Sequence, residues 1–392
     1  MPYDRCRRAM ALAAVAAVPA LVLAPPATAA DGPVALPPLR LRMAADDTCA
    51  TASDKTAELR PWTHQALQLP RSWQLSRGAG VTVAVIDTGV ATGTPALEGR
   101  VRAVGDAGED CVGHGTFAAG LIAASATGPG SVTGVAPGAE ILALRGTDGR
   151  GVADAALVAR AIRSAADEGA GVVYVGQALT GDGDELADAV AYALDKDALV
   201  VAPAAPDVAP EGADGRPDTR PRASWPAHVP DVVSVVDHGP AGDRPEAAPG
   251  ALAPDLSAPG DAVVGIGVEG DGHFLGSGSS LAAAHVAGAA ALVRSYLPRL
   301  SAADVARRLQ EAAYPDSVPK LDAYAGLTAV LPTARARAEA RPEPARIPRT
   351  TAAGTRDRAL LLGGGALCVV LLIGAAMVVV PLGKARGWRP AP

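Results

Sequence analysis

The sequence predicts an α/β domain in which helices cover both faces of a mainly parallel central sheet. Short β-branched runs alternate with longer alanine-rich stretches whose apolar residues recur at helical spacing. Such alternation of strand and helix is typical of parallel sheets. The 392 residues can bury a sizeable core, and a composition with 44 Gly, 34 Pro and 3% aromatic residues indicates packing of small side chains. The net charge of −6 offers no basic face for nucleic acid.

The predicted elements follow one another from about residue 80 onward. Residues 81–86 form an apolar run that predicts a buried strand, and "GAEILALRG" at 138–146 predicts a second. Residues 153–170 have the spacing of a helix that closes near a glycine. The remaining predicted segments, in the order strand, helix, strand, strand and strand, are residues 171–176, 184–197, 198–204, 231–236 and 262–267.

The first 30 residues have the pattern of an export signal. Three arginines near the start precede a short, proline-interrupted apolar run that ends in small residues, and cleavage is expected after Ala29 or Ala30. Residues 31–77 then form a polar N-terminal extension, followed by the predicted α/β domain at residues 78–330.

A second apolar segment, residues 359–383, predicts a membrane-spanning helix. Its 25 residues carry no charge, and about 20 suffice to cross a bilayer; a buried core helix is the alternative. Residues 384–392 are basic, as in a cytoplasmic tail. Residues 331–358 are rich in Pro, Ala and Arg and predict a linker. The export signal then places the domain outside the cell membrane in a single-pass arrangement.

The four cysteines divide by compartment. Cys6 leaves with the export signal, Cys368 lies in the apolar segment, and Cys49 and Cys111 remain in the exported part. An even pair in an oxidising compartment favours a disulfide, with two unrelated buried thiols as the alternative.

The uncharged segment "GSGSSLAAAHVAG" at residues 276–288 contains two candidate nucleophiles, Ser279 and Ser280. If the segment is helical, His285 cannot be the base for Ser280. Five residues turn a helix by about 500°, which leaves the two side chains about 140° apart. The two hydroxyls have a simpler interpretation as helix caps.

His114 and Asp87 are the other candidates for catalysis. His114 stands between two glycines at the start of a small-residue helix. Asp87 ends an apolar strand, and the carboxyl ends of parallel strands are where catalytic groups gather. Taken singly, Asp87 is explained as a cap or turn residue and His114 as part of a glycine turn.

Taken together, the motifs resemble the subtilisin-like serine proteases. The resemblance rests on "VAVIDTGV", "GHGTFAAG", "GVAPGAEILAL", "LSAPG" and "GSSLAAAHVAGAAALV". It implies the subtilisin-like three-layer α/β/α fold, and the family pattern Gly-Thr-Ser-Met-Ala-x-Pro-His-Val-Ala-Gly makes Ser280 the nucleophile. By this resemblance His114 takes the proton of Ser280, and Asp87 holds the imidazole and stabilises the imidazolium.

The order of segments is similar to that of the mycosins, membrane-anchored subtilases associated with type VII secretion. This resemblance supports a bridge between Cys49 and Cys111 and an extension that wraps the catalytic domain, with Trp62 and Trp73 as its anchors. It implies a peptide or protein substrate, association with a secretion membrane complex, and no cofactor. For the acids at residues 180–188 we prefer helix capping to calcium binding, so no metal site is expected.

The position of the oxyanion donor departs from the family pattern. Where the family has an Asn, the run "VAPAAPD" at 201–207 offers Pro206 or Asp207, depending on the alignment. Proline has no donor, and an ionised Asp repels a developing oxyanion. Loss of one such donor costs about 10²–10³ in turnover.

Three further positions differ from the family. Tyr174 and Gly176 replace an Asn and a Ser on the strand beside the substrate cleft, and Ala284 replaces a proline. Two functions therefore compete. One is a slow, membrane-anchored serine endopeptidase, and the other is a catalytically impaired structural subunit of a secretion complex.

Overall fold

The computed structural model describes residues 34–128, 131–181, 183–212, 215–331 and 353–388. These residues belong to two units, which divide after Leu331. The predicted export signal and most of the predicted linker lie outside the described residues.

Seven parallel strands form the central sheet of the first unit, which confirms the predicted mainly parallel sheet. Their order across the sheet is β2-β3-β1-β4-β5-β6-β7. An antiparallel hairpin, β8 and β9, stands apart from it. The strands are β1 (Thr82–Asp87), β2 (Val101–Ala103), β3 (Glu140–Arg145), β4 (Val172–Val175), β5 (Leu199–Pro203), β6 (Val233–His238), β7 (Leu256–Pro259), β8 (Val263–Ile266) and β9 (His273–Gly276).

Helices cover both faces of this sheet and complete the three-layer fold. The helices are α1 (Trp62–Ala66), α2 (Leu69–Ser72), α3 (His114–Ala123), α4 (Ala155–Asp167), α5 (Gly183–Asp195), α6 (Ser279–Tyr296), α7 (Ala302–Glu311) and α8 (Ala323–Thr328). Alternate strand residues point to opposite layers: Val83 and Val85 pack with α3 and α6, whereas Ala84 and Ile86 pack with α4 and α5. Asp184 and Glu185, two of the acids for which helix capping was expected, lie in the first turn of α5.

Small residues let α6 pass through the core. Every side chain from Ser279 to Val293 is buried. A β-carbon at Gly288 would lie 2.7 Å from Cβ of Val135, so glycine permits the close approach of the preceding segment. Ser279 and Ser280 therefore lie at the start of a buried helix.

The strands β2 and β7 are among the elements that the sequence analysis did not predict. β2 has three partly exposed residues, and β7 reads "LSAP" and contains a proline. Neither has the length or the alternation that marks a strand in a sequence. The predicted strand at 262–267 is present as β8, in the separate hairpin.

The N-terminal extension is fastened to the domain at several points. Cys49 and Cys111 form the expected disulfide. The indole N–H of Trp62 donates to the carbonyl of Ala262 over 3.0 Å, and that of Trp73 to Val135 over 2.8 Å. Both tryptophans therefore contact the domain as anchors.

The described part of the second unit, residues 353–388, contains one long helix, α9 (Ala353–Ala385). Its part from Asp357 to Ala385 is long and apolar enough to cross a membrane. The helix includes the predicted membrane segment.

Candidate active site

Asp87 lies at the carboxyl end of β1, an inner strand of the sheet between β3 and β4. Its side chain is fully buried, and the backbone N–H of Thr88 donates to Oδ1 over 2.7 Å. The carboxylate therefore lies at the carboxyl-terminal edge of the sheet, where the neighbouring parallel strands also end.

His114 is the first residue of α3, and two glycines allow it to reach Asp87. Gly113 has a φ of +96°, in the left-handed region that favours glycine. A β-carbon at Gly115 would lie 2.1 Å from the carbonyl oxygen of Gly89, so the helix could not approach β1 so closely with any other residue there. Nδ1 of His114 lies 2.9 Å from each carboxylate oxygen of Asp87.

Ser280 lies in the first turn of α6, opposite the other ring nitrogen of His114. Its Oγ is 3.1 Å from Nε2, and both side chains are 1% exposed. Ser279 points elsewhere, because its hydroxyl donates to Asp237 over 2.7 Å. The structure therefore brings Ser280, and not Ser279, together with His114 and Asp87.

Asp207 also contacts Ser280, and does so twice. The backbone N–H of Ser280 donates to Oδ1 over 2.9 Å, and the Ser280 hydroxyl lies 2.6 Å from Oδ2. Oδ2 is in turn 3.6 Å from Nε2 of His114. The sequence left Pro206 and Asp207 as candidates for the oxyanion position. In the structure it is Asp207 that contacts Ser280.

Gly278 makes the room that Asp207 occupies. A β-carbon at position 278 would lie 2.2 Å from Cγ of Asp207. The carboxylate side chain is 11% exposed. It occupies the position at which a substrate oxygen would accept a hydrogen bond from the backbone N–H of a nucleophilic serine.

Tyr174 forms a buried part of the site that the sequence analysis treated only as a departure. Its phenol oxygen is 3.5 Å from Oδ2 of Asp87, and the side chain is fully buried. A β-carbon at Gly176 would lie 1.8 Å from the same carboxylate oxygen, so Gly176 leaves space for Asp87. Neither contact can be inferred from the strand pattern.

Asp110 is a second residue that the sequence analysis missed. It accepts hydrogen bonds from the hydroxyl of Thr88, the backbone N–H of Gly113, and both the N–H and the hydroxyl of Thr116. Burial raises its pKa. These bonds fix the start of α3 to the end of β1. The available signal was an Asp four residues before the first residue of α3, close enough for its side chain to accept hydrogen bonds from the start of the helix.

Three of the other five histidines, His285, His238 and His228, have partners outside this arrangement. Nδ1 of His285 lies 3.0 Å from the carbonyl oxygen of Leu281, and burial lowers the pKa of His285 to about 4. His238 is buried beside Ser257, and burial lowers its pKa to about 4. His228 is exposed and packs against Trp225. Across the described ranges, no three His, Cys, Asp or Glu side chains are grouped as metal ligands.

Comparison with known proteins gives the family. A sequence profile of the subtilase family matches residues 78–343. Mycosin-3 of Mycobacterium tuberculosis is 32% identical over 388 residues, which cover 82% of this chain and 83% of the relative. The chain belongs to the subtilases, in the mycosin group.

Solved structures agree with the assignment of this chain to the subtilases. The structure of the MycP3 protease from the type VII (ESX-3) secretion system is 32% identical, with a TM-score of 0.63, and covers 76% of this chain and 96% of that one. A chain of an intact ESX-5 inner membrane complex is 27% identical, also with a TM-score of 0.63, and covers 88% of this subtilase and 96% of its own length.

Two carboxylates act on the imidazole of this subtilase. Burial alone would lower the pKa of His114, but the attraction of Asp87 and the hydrogen bonding to Asp207 outweigh it and hold the pKa well above its usual value. Burial, followed by the charges of Asp87 and Asp207, raises the pKa of Tyr174 well above that of a free phenol. Tyr174 is therefore a neutral hydrogen-bond donor beside Asp87.

Proposed function

We propose that this subtilase is a slow, membrane-anchored serine endopeptidase that works outside the cytoplasmic membrane through Ser280, His114 and Asp87. The observation that carries the proposal is one continuous line of contacts. Asp87 lies 2.9 Å from Nδ1 of His114, and Nε2 lies 3.1 Å from the Ser280 hydroxyl. These are the distances at which a base activates a serine and a carboxylate orients the base.

Each group has a defined step in peptide hydrolysis. Oγ of Ser280 attacks the scissile carbonyl carbon while its proton passes to Nε2 of His114, and Asp87 stabilises the imidazolium. The imidazolium then protonates the leaving amine, and an acyl-enzyme on Ser280 remains. Water, deprotonated by His114, releases the acid product and restores the hydroxyl.

Asp207 accounts for the proposed slow rate. A tetrahedral intermediate needs donors for its oxyanion, and the Ser280 backbone N–H is already bonded to Asp207 in the free chain. An ionised carboxylate at that point also repels the oxyanion. The absence of one donor lowers turnover by about 10²–10³, which slows such an enzyme without abolishing its chemistry.

The proposed organisation follows the order of segments. Residues 1–30 act as the export signal, 31–77 as the wrapping extension, 78–330 as the peptidase domain and 331–358 as the linker. Residues 359–383 cross the membrane and 384–392 form the cytoplasmic tail. Support comes from the apolar helix at Asp357–Ala385 and from the disulfide, which suits an oxidising compartment.

The similar proteins support a secretion complex as the partner. One is a protease from the type VII (ESX-3) secretion system, and another is part of an ESX-5 inner membrane complex. We extend this association with type VII secretion to the present chain, with a peptide or protein as its substrate.

A second candidate function is a structural subunit with an impaired site. The two hydrogen bonds from Ser280 to Asp207 favour it, because they occupy both the nucleophile and its backbone donor. The same fold would then serve assembly and not hydrolysis.

Reaction of the detergent-solubilised full chain with a fluorophosphonate separates the two functions. The protease reacts at Ser280, slowly, and the Ser280→Ala variant does not react. A folded wild-type chain that stays unlabelled across the pH range would support the structural subunit and rule out the protease.

A further inference from the structure

Three side chains from three different elements form one hydrogen-bonded line. Oδ2 of Asp207 lies 2.6 Å from Oγ of Ser280, and Oγ lies 3.1 Å from Nε2 of His114. The hydroxyl has one proton to donate, and the Asp207 carboxylate is the nearer of its two partners. In this arrangement the proton of Ser280 points at Asp207 and away from the base.

The charges around this line favour one proton on the pair of Asp207 and His114. Asp87 faces Nδ1 from β1, the neutral phenol of Tyr174 faces Asp87 from β4, and Asp207 faces Nε2 from the segment after β5. Two carboxylates thus flank one imidazole, and the raised pKa of His114 agrees with this.

Two further acids lie close by, but both have other partners. Asp110 is bonded to the first turn of α3, and Asp237 is bonded to Ser279 and to Arg244. Neither therefore takes part in the shared-proton pair.

We propose that Asp207 and His114 share a single proton, and that the working form of the enzyme carries this proton on Asp207. In the resting form His114 is an imidazolium and Asp207 a carboxylate, so there is no free base and the oxyanion position is negative. In the working form the base is neutral and Asp207 is a carboxylic acid that donates a hydrogen bond. This inference rests on the proposed protease function.

The line of contacts provides the route between the two forms. The Oγ–H proton of Ser280 passes to Oδ2 of Asp207, and the Nε2–H proton of His114 passes to Oγ. No proton enters or leaves the site. The new hydroxyl proton lies between Oγ and Nε2, which is the arrangement that precedes nucleophilic attack. A substrate carbonyl oxygen then replaces Oδ1 as the acceptor of the Ser280 N–H. It accepts a second hydrogen bond from the carboxylic acid of Asp207.

The pH dependence of the reaction follows from the proton count. With two protons on the pair, the base is blocked; with none, Asp207 is ionised and repels the oxyanion. Because interacting groups titrate as a pair, the wild-type rate should fall at both acidic and alkaline pH. The Asp207→Asn variant has a permanent donor and needs only a neutral His114, so its rate should rise with pH and then stay level.

The test measures the second-order rate constant for fluorophosphonate labelling of the full chain from about pH 5 to about pH 10. We expect a bell-shaped curve for wild type, and for Asp207→Asn a level alkaline region with a rate roughly 10² higher. Asp243→Asn makes the same charge change at an exposed side chain and should retain the wild-type bell.

The wild-type curve alone can overturn the proposal, even if the Asn variant fails to fold. A wild-type rate that stays level at alkaline pH contradicts it, as does an Asp207→Asn curve parallel to that of wild type. Labelling of Asp207→Asn with none of wild type at any pH also contradicts it, because the shared-proton form would then be absent. If neither folded protein reacts at any pH, the proposed protease function itself fails.

Discussion

A β-carbon at Gly176 would lie 3.0 Å from the phenol oxygen of Tyr174. This distance links two departures from the family pattern that look independent in the sequence. A serine at position 176 would press on both the phenol and the Asp87 carboxylate, so the large residue at 174 and the small one at 176 go together. At these two positions the site differs from the family pattern, and it has a phenol next to the Asp87 carboxylate.

The coupling of these two positions can be measured with a double-mutant cycle. Gly176→Ser alone should lower the labelling rate by roughly 10², because a displaced Asp87 no longer orients His114. Tyr174→Asn combined with Gly176→Ser should recover much of that loss, with a coupling above about 1 kcal/mol. Effects of the two substitutions that simply add would show that the positions are independent.

The disulfide should contribute strongly to stability, because Cys49 and Cys111 are 62 residues apart in the chain. Closing a loop of that length stabilises the folded state by about 4 kcal/mol in the chain-entropy model. The double variant Cys49→Ala/Cys111→Ala should therefore unfold at a lower temperature, by roughly 10 °C, as followed by tryptophan fluorescence of the full chain.

Cys368→Ala is the matched control for the disulfide variant. Cys368 is a free, exposed cysteine on α9, and its removal should leave the midpoint unchanged. A double variant with the wild-type midpoint would contradict a stabilising disulfide.

Buried His285 should make the fold sensitive to acid. Burial lowers its pKa from 6.5 to about 4, so the folded state binds fewer protons than the unfolded state between these values. Stability is therefore present above pH 6.5 and is lost as the pH falls toward about 4, by about 3 kcal/mol from this residue. His285→Gln should lose correspondingly less between these pH values, as measured by denaturant unfolding.

His228→Gln serves as the control, because His228 is exposed. Its unfolding free energy should follow the wild-type pH dependence. An identical acid loss in His285→Gln and wild type would show that protonation of His285 does not set the acid limit.

Most of the fold could be predicted because its signals are local. The strand of residues 81–86 and the helix of residues 153–170 are marked by their own periodicity, and the structure has them as Thr82–Asp87 and Ala155–Asp167. β2 and β7 could not be predicted, because such short strands depend on their neighbours in the sheet and not on their own sequence.

The site could be predicted only as far as motifs identify residues. Asp87, His114 and Ser280 stand in recognisable motifs, and the structure brings all three into contact. The choice between Pro206 and Asp207 depended on an alignment shift of one residue, which three-dimensional contact resolves. The contact of Tyr174 with Asp87 joins different strands, and no spacing within the sequence carries that information.

The most direct test of the proposed nucleophile is the site of fluorophosphonate attachment, read by tandem mass spectrometry of the peptide that contains Ser279 and Ser280. Ser279 is a built-in control, because it adjoins Ser280 but is bonded to Asp237. We expect an adduct on Ser280 that persists in Ser279→Ala. An adduct on Ser279, or none on a folded chain, would contradict it.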